Sequence, residues 1–246
     1  MSFIGGVIYP IGTVPTLQKT TIINVAQKIA VELGYDWDGR LEKILSFCID
    51  HPALLNKREK IENASSPHAL APHLTKYVRE YYIERDRKIE LNAVLTTSDD
   101  ALDIVLQSFA GYANSDLKRV SMHHRVSMAA ENILGELLER YVASVLEPSG
   151  WIWCCGKTMR AVDFYRPGSK PTLLQVKNRD NSENSSSSAI RAFLAEGGSG
   201  TIEKWHRVRS RDGKTCWDNL PGNKGLTIAD EEHFNNFIRN QAALQR

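Results

Sequence analysis

Cysteine is scarce in this chain. The four cysteines are Cys48, Cys154, Cys155 and Cys216. None has the spacing of a zinc site, and neighbours such as Cys154 and Cys155 rarely bridge each other, so reduced thiols in a cytoplasmic protein are expected. No His-Asp arrangement accompanies any of them, which argues against a cysteine nucleophile. Long apolar runs are also missing. Nothing approaches the ~20 residues of a membrane span, so no membrane partner is expected. The opening segment MSFIGGVIYPIGTVP is apolar, but it lacks a basic stretch and is broken by Pro10 and Pro15; it is not read as a signal peptide. Neither charge is in large excess: Lys+Arg 31 against Asp+Glu 29 leaves a net charge of +2. Any nucleic-acid footprint must therefore be local.

What is present is an ordinary globular composition, 42% apolar and 24% charged over 246 residues, enough for one large domain or a domain with an appendage. The chain divides into two parts, residues 1–115 and 116–246. In the first, apolar residues recur at helical spacing in TLQKTTIINVAQKIAVELG, with Gly34 as a stop. RLEKILSFCI, HALAPHLTKYVREYYIERD and SDDALDIVLQSFAGYA continue the pattern, and KIELNAVLTTS is a short strand or a loop. This part reads as a helical subdomain with no chemical motif.

The second part reads as an α/β core. VSMAAENILGELLERYVASVLEPSG is one long helix with Leu134, Leu137, Leu138, Tyr141 and Val145 on one face, ended by Pro148 and Gly150. Strand-like WIWCC, MRAVDFY and TLLQVKN follow, the last two joined by the turn RPGSKP. A polar tract, NRDNSENSSSSAIR, leads to a helix starting near Ala189. A hairpin is expected around Asp212-Gly213, and a helix over IADEEHFNNFIRNQAALQ closes the chain. His123 and His124 are adjacent, so on a helix they diverge by about 100° and do not share a metal. Trp151 and Trp153 alternate on a strand and read as core or interface.

The chemistry concentrates between Glu139 and Lys177. Asp163 and Gln175 are separated by a hairpin's length, so adjacent strands bring them to one sheet edge. Gln175 and Lys177 are two apart and point to one face, shared with Leu173. Asp163 offers an oxygen that suits Mg²⁺. Lys177 offers a positive charge to activate water or steady a phosphate, and Gln175 a neutral oxygen. One carboxylate holds Mg²⁺ poorly, so a second is sought on the preceding helix. At 100° per residue Glu136 lies opposite the apolar face, Glu131 near its centre and Glu139 at its boundary. The boundary position suits a group that reaches over a sheet edge.

A helix acid in GELLERYV (Glu139), an Asp at a strand end in AVDFY (Asp163) and LLQVK with Gln175 and Lys177 resemble the PD-(D/E)XK nuclease superfamily. The longer string QVKNRDNSENSSSSAIR, with GTIEKW after it, is similar to type II restriction endonucleases of the SinI type. The likeness spans roughly residues 125 to 210 and leaves the helical half uncovered. It departs from the superfamily pattern where Ala161-Val162-Asp163 replaces Pro-Asp and where Gln175 replaces the usual acid. The resemblance implies a central mixed β-sheet flanked by helices, with an N-terminal helical subdomain. It implies Mg²⁺-dependent hydrolysis of double-stranded DNA at a short palindromic sequence by a homodimer. Glu139, Asp163, Gln175 and the Val176 carbonyl would hold the metal, and Lys177 would orient the attacking water. The narrower likeness implies the sequence GGWCC. A repair or recombination nuclease on the same core stays open, as does a non-catalytic DNA-binding protein. So does a purely structural reading in which Asp163 caps a turn and Lys177 is solvated.

From Lys157 to Lys224 there are 13 Lys+Arg against 7 Asp+Glu, so positive charge concentrates around these residues, as a phosphate-binding groove requires. Asn178, Arg179, Asn181, Asn184 and Arg191 carry groups that hydrogen-bond base edges and phosphates. Ser185 and the serines after it donate to phosphate or cap the next helix. Lys204, Arg207 and Arg209 extend the basic stretch. The competing readings are a flexible linker for the tract and a solvated face for the basic residues.

Overall fold

Helical apolar spacing organises the first half. The computed structural model describes residues 2–4, 7–9, 19–55, 67–90, 100–180, 187–222 and 229–244. A hairpin of β1 (Ser2–Ile4) and β2 (Val7–Tyr9) precedes α1 (Lys19–Glu32), α2 (Gly39–Asp50), α3 (Pro67–Asp86) and α4 (Asp100–Ala110). α1 buries Ile22, Ala26, Ile29 and Ala30, a single stripe. α2 begins at Asp38, whose carboxylate accepts from Arg40 N at 2.8 Å and satisfies one of the backbone donors a helix start leaves open. Of the stretch read as strand or loop, residues 88–90 have no regular structure and 91–98 lie outside the described residues.

α5 (Asn114–Leu146) has 33 residues and starts well before the expected Val126. No Gly or Pro interrupts residues 114–125, so nothing there stops the helix. Its apolar stripe joins the main core in the second half, where Leu137, Leu138, Tyr141, Val142, Val145 and Leu146 are buried; Leu117 and Ala129 of the first half are buried outside that core. Pro148 lies in a 3-10 turn, and Gly150 follows at φ 84°, which ends the helix where the sequence places the end.

The sheet runs β3 (Ile152–Trp153), β4 (Phe164–Arg166), β5 (Thr172–Arg179) and β6 (Thr201–Val208), in that order. β3, β4 and β5 pair antiparallel, and β5 and β6 pair parallel. A parallel pair needs a crossover, and it contains α6 (Ser187–Ala195). The expected strand MRAVDFY is shorter than its pattern. Residues 155–162 form a turn in which Lys157 and Ala161 take left-handed φ of 57° and 65°, a conformation that breaks a ladder. β5 is buried on both faces from Leu173 to Val176, so the side bearing Leu173 and Gln175 is covered as well. β6 turns back at Asp212-Gly213, where Val208 bridges Thr215. α7 (Glu231–Ala243) is capped by Asp230, which accepts from His233 N at 2.7 Å; its Phe234 meets the rings of Tyr141 and Trp217.

The helical half and the sheet share one apolar core. Phe47 of α2 stacks on Tyr165 of β4 with centroids 4.6 Å apart. Glu147 receives Arg85 and Arg40 from the first half. Arg140 donates to the carbonyls of Glu84, Arg85 and Arg87, which satisfies acceptors left open at the end of α3. Among the described residues no helix is long and apolar enough to cross a membrane.

Candidate active site

The β4–β5 pairing positions Asp163 one residue before β4. Its backbone N–H donates to Leu174 O at 3.0 Å, and its carbonyl accepts from Cys154 N at 2.8 Å. Oδ2 of its carboxylate accepts from Val176 N at 2.7 Å. The residue is thus pinned by both flanking strands, with one carboxylate oxygen engaged by backbone.

The turn leading to Asp163 is held by the helical half. Thr158 O accepts from Tyr77 Oη at 3.1 Å and from the Cys48 thiol. Arg160 N donates to Leu54 O at 2.6 Å. Gly156 lies so close to α3 that a Cβ there would stand 2.6 Å from Glu80 O. Left-handed Lys157 and Ala161 each cost ~1–2 kcal/mol, and such conformations persist where the surroundings enforce them.

Glu139 projects from α5 toward Asp163. The Trp153 indole donates to its Oε2 at 3.1 Å. Arg85 and Arg140 lie 5.8 and 5.6 Å from the centroid of that indole, within cation–π range. An open cleft of about 1250 Å³ lies between α3, α5 and the turn, with Glu139 and Asp163 on its wall. Burial raises the pKa of Glu139, and the negative charge of Asp163 raises it further; the Trp153 N–H and the Lys177 ammonium oppose this. Burial likewise raises Asp163, against the Val176 N–H and Lys177. The charge of Lys177 thus acts on both carboxylates, although Lys177 is not among the residues lining the cleft. The cleft also receives Glu80, Glu84, Glu90, Glu131 and Glu136 against the bases Arg87, Lys157 and Arg160, so its field favours cations.

The other residues singled out in the sequence lie as follows. Glu136 pairs with Arg87 and Arg140. Glu131 is exposed rather than central to a packed face, because α5 has outrun the core there. Gln175 is 7% exposed and borders a small neighbouring cavity with Val162, Ile190 and Lys204, its register partner on β6. Asn178 Oδ1 accepts from Arg207 Nε at 2.9 Å. Arg207 also pairs with Glu231 and lies over the Phe234 ring, so its guanidinium joins β6 to α7. Arg209 pairs with Asp212 at 3.1 Å. Arg179, Arg191 and Lys204 are exposed. Asn181, Asn184 and Ser185 lie outside the described residues. His123 and His124 are exposed on α5.

Sequence reading missed Trp153 as a partner of Glu139, and Lys157 and Arg160 at the cleft. The alternation of Trp151 and Trp153 signals burial alone. The RAVD stretch looks like strand, and no local cue marks it as a basic turn.

The donors available to a cation here are two half-buried carboxylates and neutral oxygens. Among the described residues no three or more His, Cys, Asp or Glu side chains converge as a metal site. Hard oxygen donors of this kind suit Mg²⁺, which draws on one or two carboxylates and keeps the rest of its shell for water and phosphate. Two carboxylates in one cleft, with burial raising both and Asp163 further disfavouring ionisation of Glu139, fit such a cation. The four cysteines are buried and free. Burial raises the thiols of Cys48, Cys154 and Cys155, which leaves them poor nucleophiles.

The SinI restriction endonuclease family matches residues 25–243. The chain is 35% identical to the type II restriction enzyme Eco47I of Escherichia coli over 232 residues, 91% of this chain and 96% of that one. It is 43% identical to the type II restriction enzyme SinI of Salmonella infantis over 146 residues, 58% of this chain and 61% of that one. A match over most of its length, with a relative aligned nearly end to end, means that the chain belongs to the SinI restriction endonuclease family and is a type II restriction endonuclease, an enzyme of site-specific DNA cleavage.

Proposed function

We propose that this chain is a Mg²⁺-dependent endonuclease on a PD-(D/E)XK core, with Glu139 and Asp163 as the carboxylates that hold the metal. The observation that carries this reading is the meeting of Glu139 and Asp163 in one acid-rich cleft, where the charge of Lys177 acts on both. A bound divalent cation supplies charge neutralisation at the scissile phosphate.

The chain's own groups do the rest. The Val176 N–H fixes one oxygen of Asp163, and the Trp153 indole fixes one oxygen of Glu139, so both carboxylates are oriented before substrate arrives. Lys177 orients the attacking water and offsets charge on the phosphate. Gln175 and the Val176 carbonyl complete the oxygen set. Asn178, Arg179, Asn181, Asn184, Ser185, Arg191 and Lys204 contact double-stranded DNA, while Arg207 and Arg209 support that surface through Asn178 and the Asp212 turn. A homodimer presents one cleft to each strand of a two-fold symmetric site. The SinI likeness points to GGWCC.

The test is digestion of a sequenced plasmid by purified protein with Mg²⁺, followed by mapping of the ends. Discrete cuts at one short sequence, abolished by excess EDTA, are expected. Full cleavage in EDTA would falsify the metal reading. Sequence-specific binding with no cutting in Mg²⁺ or Mn²⁺ would overturn the proposed metal chemistry at Glu139 and Asp163.

A further inference from the structure

α4 is an 11-residue helix with no buried residue. Isolated helices shorter than ~12–15 residues are marginal in water and depend on packing of an apolar face. α4 has such a face but no cover for it. Leu102, Val105 and Phe109 lie at i, i+3 and i+7 and are 53%, 49% and 88% exposed. Three residues join α4 to α5, whose first half protrudes with Met122 and Val126, at i and i+4, also exposed. Of the eleven exposed large apolar side chains among the described residues, seven lie between Leu102 and Val126. Such clustering on one element marks an interaction surface, and the spacing is that of helix-on-helix packing.

The charges select the partner. α4 carries Asp100 and Asp103 and no base. From Asn114 to Val126, α5 carries Lys118, Arg119 and Arg125 against one acid, Asp116, which pairs with Arg119, so its net charge there is positive. A surface with one acidic and one basic helix is self-complementary: α4 of one copy meets α5 of another, and the reverse holds across the two-fold axis. The arm is also continuous with the active site, because Ala129 and Asn132 of α5 line the cleft that receives Glu139. Joining two arms therefore fixes two clefts relative to each other.

We infer that the arm formed by α4 and the first half of α5 is the surface through which two copies of this chain pair, as a four-helix contact of Leu102, Val105 and Phe109 against Met122 and Val126. This deepens the homodimer reading above and rests on it. The test is sedimentation of the full chain at micromolar concentration, for the parent, for the double variant Leu102→Glu with Phe109→Glu, and for Met122→Glu with Val126→Glu. The parent should be a dimer. Both variants should be monomers with unchanged circular dichroism, because the substituted side chains are exposed in the single chain. Dimer association should weaken by about 100-fold or more in each double variant. If both variants stay dimeric while the parent is a dimer, this surface is not the interface and the homodimer reading survives without it. A parent that is monomeric throughout overturns both. A monomeric parent whose Leu102→Glu, Phe109→Glu variant loses DNA in a gel shift assigns the arm to DNA instead.

Discussion

The Trp153 indole N–H donates to Glu139 Oε2 at 3.1 Å, across the helix-to-strand junction. The Arg85 and Arg140 guanidinium groups both lie over the ring that carries it, so a network rooted in α3 and α5 sets where one carboxylate oxygen points. Trp153→Phe keeps an aromatic ring in that place and removes only the donor. The fold should survive, and the divalent-ion midpoint should rise by about 10-fold, the low end of what an orienting partner of a metal ligand is worth. Titrating Ca²⁺-supported DNA binding alongside Mg²⁺-supported cleavage checks this. An unchanged midpoint in both assays would detach Trp153 from the site.

The proposed site sets the opposite charges of Asp163 and Lys177 beside one phosphate, so their variants should part company in binding. Asp163→Asn and Lys177→Ala should each reduce cleavage by at least about 10²–10³-fold. Without divalent metal, Asp163→Asn should bind DNA as tightly as the parent or tighter, because one source of like-charge repulsion has gone. Lys177→Ala should bind equally or more weakly. Gel shifts at one fixed salt concentration make the comparison, since affinity depends steeply on ionic strength. Robust cleavage by either variant would remove that residue from the chemistry.

Gln175 is buried against a neighbouring cavity, two residues from Lys177 on the same strand. Two roles are separable there, metal ligand and core amide. As a ligand, Gln175→Ala should cut cleavage by more than about 10-fold with DNA binding little changed, and Gln175→Glu should shift the preference between Mg²⁺ and Mn²⁺ by adding charge at the same reach. As a core amide, Gln175→Ala should lower thermal stability and leave the kinetics alone. Melting curves and single-turnover rates for the two variants decide between them.

Glu139 and Asp163 both have raised pKa values from burial, and Asp163 raises Glu139 further. Between the ordinary carboxylate range and the raised values, the folded chain binds more protons than the unfolded one. Stability without metal should therefore fall as pH rises through that window and level off once both are ionised. In chelator, Tm should drop by at least about 2–4 °C between about pH 5 and about pH 9, the shift that 1 kcal/mol produces in a chain of this size. Glu139→Gln should flatten the dependence and melt higher at the alkaline end, and added Mg²⁺ should stabilise the parent most there. A parent whose Tm is flat across this range would mean that the two carboxylates titrate normally.

Local chemistry made part of this site legible. Pro148 and Gly150 end α5 because each acts within its own few residues, and the Asp212-Gly213 turn and the RPGSKP link do the same. Asp163 meets the β5 backbone because the short RPGSKP link sets the two strands side by side. Other features are set at long range. Arg207 reads as one more base in KWHRVRSR, yet Asn178 and Glu231 hold it, 29 and 24 residues away. Gln175 reads as half of a one-sided pattern, and only the cover on both faces of β5 buries it. The end of the basic turn, Met159 to Val162, reads as strand, because its left-handed residue there is an alanine rather than a glycine. The clamp on that turn joins Tyr77, Leu54 and Glu80 to residues 156–160 across the chain, and no periodicity announces it.

That clamp gives the helical half a measurable connection to catalysis, and Gly156 tests it. At φ 65°, any other residue costs ~1–2 kcal/mol for the left-handed backbone. A Cβ would also stand 2.6 Å from Glu80 O and 2.8 Å from Tyr81 N, both backbone atoms, so the turn must move away from α3 at a further ~1–3 kcal/mol. Gly150 provides the control: its φ is 84° and a Cβ there meets nothing within 4 Å, so Gly150→Ala isolates the backbone cost. Gly156→Ala should lower Tm by on the order of 10 °C and Gly150→Ala by roughly a third of that. Assayed well below both melting points, Gly150→Ala should cleave like the parent. Gly156→Ala should lose cleavage by about 10-fold or more and need more Mg²⁺, because the displaced turn carries Asp163 away from Glu139. Equal Tm losses with parental cleavage in both variants would show that the close approach to α3 is incidental and that Asp163 is held by β5 alone.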